Sequence, residues 1–477
     1  MNKRLMIRHL VSGTAMLIAS AGAQGASLLE VYQQALQSDP QIHEAESRRL
    51  AAMEAVPQAR SLLLPQINAS GSISQSSTSG RQVFQDSSGI GVASSESTAD
   101  SSGWGIELRQ TVFSWDQIVG LKQANKQVAR ADAVHEAAQQ DLIVRVAQRY
   151  FDVLAAEDRL TSIHADRRAI ARQLEQAKQR FEVGLIAITD VQESQAAYDQ
   201  SIASEIGAKR ELATARELLR EITGEYVSEL EAPVEEFPLP APNPADQQSW
   251  IDLAMEQNLT VIASRLDEKI ARDEISFRRT GHYPTLELVA NYRDSQSEIS
   301  DQLRDGVPFP NFDTDNQNDS ISLQLSIPIF SGGRTSSRVQ EAVYLHRAAR
   351  EQLQRVARET ERQVRDAYLG VLSEISRVKA LDQAVASSRT ALEATQAGFE
   401  VGTRTIVDVL NSQRALYSAI TNYYQSRYVY VGNVLQLKQA AGTLKVQDLE
   451  QIDRWLKERR PPEEVIAEEE AVDAGSN

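Results

Sequence analysis

Six histidines, at positions 9, 43, 135, 164, 282 and 346, are scattered along the chain, and no two have the spacing of metal ligands. Cysteine is absent, which removes thiolate metal sites, a cysteine nucleophile, disulfides and a lipid anchored on cysteine, yet suits an oxidising compartment. There is no phosphate-binding loop and no GxSxG elbow. Catalysis has no foothold, no cofactor or metal is expected, and the histidines read as solvated helix-face residues. The side chains that do form a pattern belong to a segment that occurs twice. Residues 181 to 195, FEVGLIAITDVQESQ, return 218 positions later as FEVGTRTIVDVLNSQ at 399 to 413. The same offset pairs Tyr150 with Tyr368, Leu154 with Leu372 and Gly224 with Gly442, so one structural unit is used twice.

Long helices must carry that segment. No proline lies between Pro65 and Pro233 or between Pro328 and Pro461, and from residue 116 to 182 the apolar positions step mostly by three or four, the seam of coiled-coil-like packing. A helix of that length is roughly 100 Å long, and residues 335–400 give its second copy. Glycine turns at Gly184 and Gly402 lead into return helices at 189–223 and 407–441. These are half as long, and upstream helices broken near Asp39-Pro40 and Asn258 supply the missing half. The proline-rich linker 225–249 and the segment 443–460 then belong at mid-height.

Between upstream and long helices the period changes to two, which marks strands at about 66–76, 104–113, 285–294 and 320–330. Ile67, Ala69, Gly71 and Ile73 alternate with polar neighbours, as do Ile321, Leu323, Leu325, Ile327 and Ile329. Each strand of about ten residues suffices to cross a bilayer when tilted. The intervening Ser76–Ser102 and Ser295–Asp319 read as exposed loops, and Trp104, Phe113, Trp115, Tyr283 and Phe330 as interfacial aromatics near strand ends. Four strands cannot close a barrel, and open edges in lipid leave backbone groups unpaired at several kcal/mol each. The chain must oligomerise, as a dimer, trimer or tetramer on this argument alone.

The N-terminal residues fit secretion. Lys3, Arg4 and Arg8, an apolar run from Leu10 to Ala21 and small residues up to Ala26 read as a signal peptide, 1–26, cleaved between about 23 and 26. No later run is long and apolar enough for a membrane helix. The formal charge of -16 makes nucleic acid an improbable partner, and the acidic residues 461–477 read as a disordered tail.

The chain resembles the TolC family of outer-membrane export channels. The resemblance is carried by YQQAL near the start, LLPQI at 63–67, RFEVGLIAITDVQ at 180–192, ITG at 222–224, SIPIFSGG at 326–333, GFEVGTRTIVDVL at 398–410 and GTL at 442–444. It implies a membrane α+β fold with internal duplication (27–224 and 250–442) and a homotrimer. The trimer would share a twelve-strand barrel, continued by a twelve-helix periplasmic barrel with a mixed equatorial belt. The implied function is a passive exit duct for drugs, small molecules or proteins, working with a periplasmic adaptor and an inner-membrane pump of RND, ABC or MFS type. A periplasmic adaptor or scaffold without a pore is the alternative, and a trimeric adhesin a more distant one; the four amphipathic strands and their spacing argue against both.

The resemblance also implies roles for tip residues. The family closes its entrance by hydrogen bonds and ion pairs that outward untwisting of the inner helix pair breaks, and Thr189, Asp190 and Arg404 match that set. Thr189 and Asp190 are equally suited to capping a helix. Phe399 stands where the family has a tyrosine whose hydroxyl takes part in closure, so closure here should lean on Arg404. Asp408 matches an acidic constriction ring, although it also suits a plain helix N-terminus. Asn411 replaces a second aspartate, which predicts weaker cation preference. Val183, Gly184, Leu185, Val401, Gly402 and Thr403 match turns that receive the adaptor, and the glycines would be needed for the turns in any case.

Overall fold

Local capping starts the chain of helices. In the structure, a computed structural model, Ser27 Oγ accepts from Glu30 N at 3.2 Å while Glu30 accepts from Ser27 N at 3.1 Å, closing a capping box on α1 (Leu28–Ser38). Residues 25–457 are described apart from 87–88, 228, 235–236, 306 and 309; most of the expected leader and all of the acidic tail lie outside them. Asp39 ends α1 and caps α2 (Pro40–Met53), accepting from Gln41 N at 3.1 Å while Arg145 donates to its other oxygen at 2.6 Å. After α3 (Ala55–Ser61) come β1 (Gln66–Asp86) and β2 (Gly89–Phe113). Then α4 (Trp115–Glu182) runs for 68 residues, about 100 Å, and α5 (Ile188–Thr223) returns as far as Gly224, whose φ of 79° ends it. Two-residue β3 (Ala232–Pro233) sits in the linker.

The second copy repeats this order. α6 (Gln247–Gln257) and α7 (Leu259–Arg279) break at Asn258, whose side chain accepts from Thr260 N and Val261 N, each at 3.0 Å. β4 (Thr285–Arg304), two-residue β5 (Val307–Pro308) and β6 (Phe312–Ser326) precede α8 (Arg334–Glu400) and its return helix α9 (Ile406–Ala440). The short α10 (Val446–Asp453) and β7 (Leu456–Lys457) close the described chain.

The main core sits at mid-height. Leu142, Val146, Tyr150 and Leu154 near the middle of α4 pack with Val364, Tyr368 and Val371 of α8, Tyr430 and Leu435 of α9, and residues of α1, α6 and α10. Tyr150 donates to the carbonyls of Ala26 at 3.1 Å and Glu231 at 2.7 Å, and Tyr430 to Pro240 at 2.7 Å. Tyr368 donates to Ala245 and Arg427 to Val234. Side chains of α4, α8 and α9 thus hold the linker backbone, and β3 pairs antiparallel with β7 beside it. His135, His164 and His346 are not simply solvated, as the sequence suggested. They lie 3.3, 3.7 and 2.7 Å from Glu46, Glu205 and Glu268, within helix seams.

The sheet order is β1-β2-β4-β6, antiparallel throughout, with β5 on one end of β4; β1 and β6 are its edges. The strands run to 21, 25, 20 and 15 residues, not about ten, and much of the expected loops 76–102 and 295–319 belongs to them. Ladder bonds need only backbone groups, so Ser- and Asp-rich strand extends past the part where alternating hydropathy reports lipid contact. Ile67, Ile73, Ile106, Tyr292, Ile321 and Leu323 share one face and are exposed in the single chain, while Asn68, Ser70, Glu107, Asn291 and Ser322 lie on the other. Trp104 is inside β2, opposite Gly71 and Asp294 and 5.3 Å from the Tyr292 ring, rather than at a strand end. Phe113, Trp115, Tyr283 and Phe330 flank the strand-to-helix transitions.

Candidate functional site

Both hairpin tips are built by the same C-terminal device. Gly184 takes φ 77° and Gly402 φ 76°. Gly184 N donates to Phe181 O at 2.9 Å and Leu185 N to Arg180 O at 2.8 Å; Gly402 N donates to Phe399 O at 3.1 Å and Thr403 N to Gly398 O at 2.8 Å. These bonds satisfy carbonyls left over at the ends of α4 and α8. No atom lies within 4 Å of where a Cβ would stand on either glycine, so backbone conformation alone demands them. The turns leave Val183, Leu185 and Val401 at 70, 74 and 76% exposure, with Gly184, Gly402 and Thr403 exposed beside them.

Past the turn the copies diverge. α5 starts after Ala187, which makes no side-chain cap, so Thr189 and Asp190 do not act as caps; Thr189 is exposed and Asp190 half-exposed. α9 starts after Thr405, which forms a full capping box with Asp408. Asp408 Oδ2 accepts from Thr405 N at 2.9 Å and Thr405 Oγ1 at 3.0 Å. The Thr405 amide, then its hydroxyl, and the nearby Arg404 charge hold the Asp408 carboxyl below its ordinary range. The plain role of a helix-start carboxylate is therefore realised at Asp408, and the T-x-x-D spacing announces it in the sequence. Asn411 lies exposed one turn further on.

Arg404 N donates to Gly398 O at 3.1 Å, and its Cγ lies 2.8 Å from where a Cβ on residue 398 would stand. Glycine at 398 makes room for this path. Among the described residues, no hydrogen bond or ion pair joins Arg404 to Thr189 or Asp190 within one protomer. Phe399 is half-buried against a cluster of Ile170, Ile406 and Leu410, with Ala197 and Tyr198 alongside. The Arg180 guanidinium stands 4.8 Å from the centre of its ring. Nothing local in the sequence pairs positions 180 and 399.

Behind the tips, Gln413 of α9 donates to Asp166 of α4, at 2.8 Å to the carboxylate and 3.2 Å to the carbonyl. Burial raises the Asp166 carboxyl while the Gln413 bond opposes the shift. Glu205 on α5 is 6% exposed at its side chain and lies within 2.7 Å of Arg167 on α4 and 2.5 Å of Lys209. The Lys209 bond, above all, holds it below its ordinary range.

Comparisons with known proteins agree with this architecture. The family model for outer membrane efflux protein matches residues 31–225 and 250–443, one match per copy of the duplication. Outer membrane protein TolC of Vibrio cholerae is 38% identical over 439 residues, covering 92% of this chain and 95% of the relative. Alkaline protease secretion protein AprF of Pseudomonas aeruginosa is 28% identical over 445 residues, covering 92% and 89%. Among solved structures, the outer membrane protein VceC of Vibrio cholerae superposes with a TM-score of 0.68 at 19% identity, covering 87% of this chain and 96% of that one. Matches of this extent place the protein in the outer membrane of a Gram-negative cell, as an efflux or type I secretion channel and not an enzyme: the chain belongs to the outer membrane efflux protein family.

Proposed function

We propose that three copies of the chain close one pore and serve as the passive exit duct of an efflux or type I secretion assembly. One observation carries the reading: a sheet with two open edges, β1 and β6, continues into helical hairpins about 100 Å long. Edges in lipid are costly enough, at several kcal/mol per unpaired group, that they must find each other. In a trimer, four main strands per chain make twelve, and the four helical tracks of each chain make a twelve-helix tunnel. Polar residues on one strand face and apolar ones on the other suit water inside and lipid outside.

In this reading a periplasmic adaptor seats on Val183, Gly184, Leu185, Val401, Gly402 and Thr403, whose exposed apolar side chains are unburied surface at the end of a rod. Energy comes from an inner-membrane pump of RND, ABC or MFS type, since no described helix is long and apolar enough to cross a membrane. The secretion function in the name of the Pseudomonas relative supports protein cargo beside small molecules. Arg404 reaches Thr189 and Asp190 across a protomer boundary, with Phe399 behind it. Asp408 forms a ring of three carboxylates, and Asn411 leaves the next ring uncharged.

Single-channel recording of the purified trimer in planar bilayers tests this. The wild type should conduct weakly and Arg404→Ser several-fold more, because a partly exposed guanidinium pairing is modest in energy but gates a constriction. A protein that forms no pore defeats the duct; unchanged conductance in Arg404→Ser defeats the gate.

A further inference from the structure

The tip bonds fall into two classes that opening would treat differently. Some stay within one hairpin: Thr395 on Ser412 at 3.2 Å joins α8 to α9, and Arg167 beside Glu205 joins α4 to α5. Others cross between hairpins. If the entrance opens by the α8–α9 pair swinging away from α4–α5, the first class moves as a unit and costs nothing. Only the second class resists.

Among the described residues, two side-chain contacts of the second class lie nearest the turns, with Tyr428 of α9 on Asp158 of α4 further back still. Nearest the turn, the Arg180 guanidinium of α4 covers the Phe399 ring of α8 at 4.8 Å, a separation at which the ring face attracts a cation. The ring also packs against the cluster of Ile170 of α4 with Ile406 and Leu410 of α9, on which Ala197 and Tyr198 of α5 pack as well, so it sits where the two hairpins meet. Further back, Gln413, 2% exposed, donates to the Asp166 carboxylate at 2.8 Å. Swinging α9 away would strip a buried amide and a carboxylate of their partner.

We propose that Arg180 and Phe399, backed by Gln413 on Asp166, form a latch between the two hairpins of a single protomer that holds the entrance closed. The proposal rests on the gate reading above and adds residues to it: Arg180, Asp166 and Gln413 act as positioning residues that hold the α8–α9 tip, and with it Arg404, at the constriction. It also gives Phe399 a task that needs no hydroxyl. A phenylalanine ring presents the face that attracts a guanidinium without any hydroxyl, and the contact lies within one protomer.

A double-mutant cycle on open probability, read by single-channel recording of the full-length trimer, tests the latch. Arg180→Gln and Phe399→Leu, which keeps apolar volume but loses the ring face, should each raise the open probability about five-fold, the factor supplied by a partly exposed cation–π contact. The double variant should open no more than either single one, because both remove the same contact. Thr395→Val, which cuts a bond within one hairpin, should leave the channel at wild-type behaviour. Wild-type behaviour of Arg180→Gln, effects that multiply in the double variant, or opening by Thr395→Val would each overturn the latch. Arg404→Ser, recorded alongside, separates the two ideas: if it opens the channel while Arg180→Gln does not, the gate stands and the latch falls, and if no tip substitution alters conductance both fall.

Discussion

At the scale of single residues, Asp408 caps α9, and its proposed place in a ring at the constriction would give the same carboxylate a second purpose. Both capping bonds use Oδ2, so the charge is anchored at the start of α9 while the second oxygen remains available to passing cations. Asp408→Asn keeps a capping acceptor and removes the charge, so it separates the roles. In a salt gradient the wild type should show a more cation-selective reversal potential than Asp408→Asn. The sign of the pH dependence follows from the depressed carboxyl: relative to the unfolded chain, the folded state favours the charged form, an advantage present above the ordinary aspartate value of about 3.9 and lost only as pH falls through the lower folded value. The difference between the two proteins should therefore hold from neutral pH through about 4 and vanish only as pH falls through the lower folded value. Its absence at neutral pH, or its loss between about 5 and 6, would remove Asp408 from the selectivity argument.

At the scale of elements, glycines in equivalent places carry unequal burdens. Gly184, Gly224, Gly402 and Gly442 all have φ between 76° and 79°, and alanine at any of them costs about 1–2 kcal/mol of backbone strain. At Gly184 and Gly402 a Cβ would meet open space, and at Gly224 the nearest atom is Ser38 Cβ at 3.4 Å; at Gly442 it would run into the Gln257 carbonyl and come within 2.7 Å of Asn258 N. Gly442→Ala should thus lower the temperature at which the trimer dissociates far more than Gly224→Ala, its partner in the repeat, while Gly184→Ala and Gly402→Ala should differ little from each other. Equal losses at 224 and 442 would refute the packing argument. The helices were legible in the sequence because missing prolines and three-to-four spacing are local signals, and the duplication because identical residues recur at one offset. The length of the strands was not, since a Ser- and Asp-rich strand makes the same ladder bonds as an apolar one without alternating in hydropathy. At the tip, glycine turns and the Thr405 to Asp408 spacing can be read directly. The meeting of Arg180 with Phe399 and of Asp166 with Gln413 depends on how two hairpins pack, and no local pattern encodes that.

At the scale of the whole molecule, the question is how the sheet edges close. Within one chain the β1 and β6 edges are three strand spacings apart, about 14 Å, too far for a disulfide, which needs Cα atoms within about 7 Å. The chain has no cysteine, so introduced thiols report only on each other. Ser70 and Ser72 of β1 and Ser322 of β6 lie on the polar face, toward the helix ends of their strands. If β1 of one protomer pairs antiparallel with β6 of the next, Ser70→Cys/Ser322→Cys and Ser72→Cys/Ser322→Cys bracket the register set by strand tilt. Mild oxidation of the purified protein should link one of these pairs between chains. A contact between two different edges is heterologous and closes only as a ring, so the covalent product should stop at three chains. A ladder ending at two would mean an eight-strand barrel, one ending at four a sixteen-strand barrel, and no linkage in either register would mean that β1 and β6 are not neighbours. A ladder ending at three would fix at twelve the strands around the pore, and with them the width of the tunnel that the latch and the gate must close.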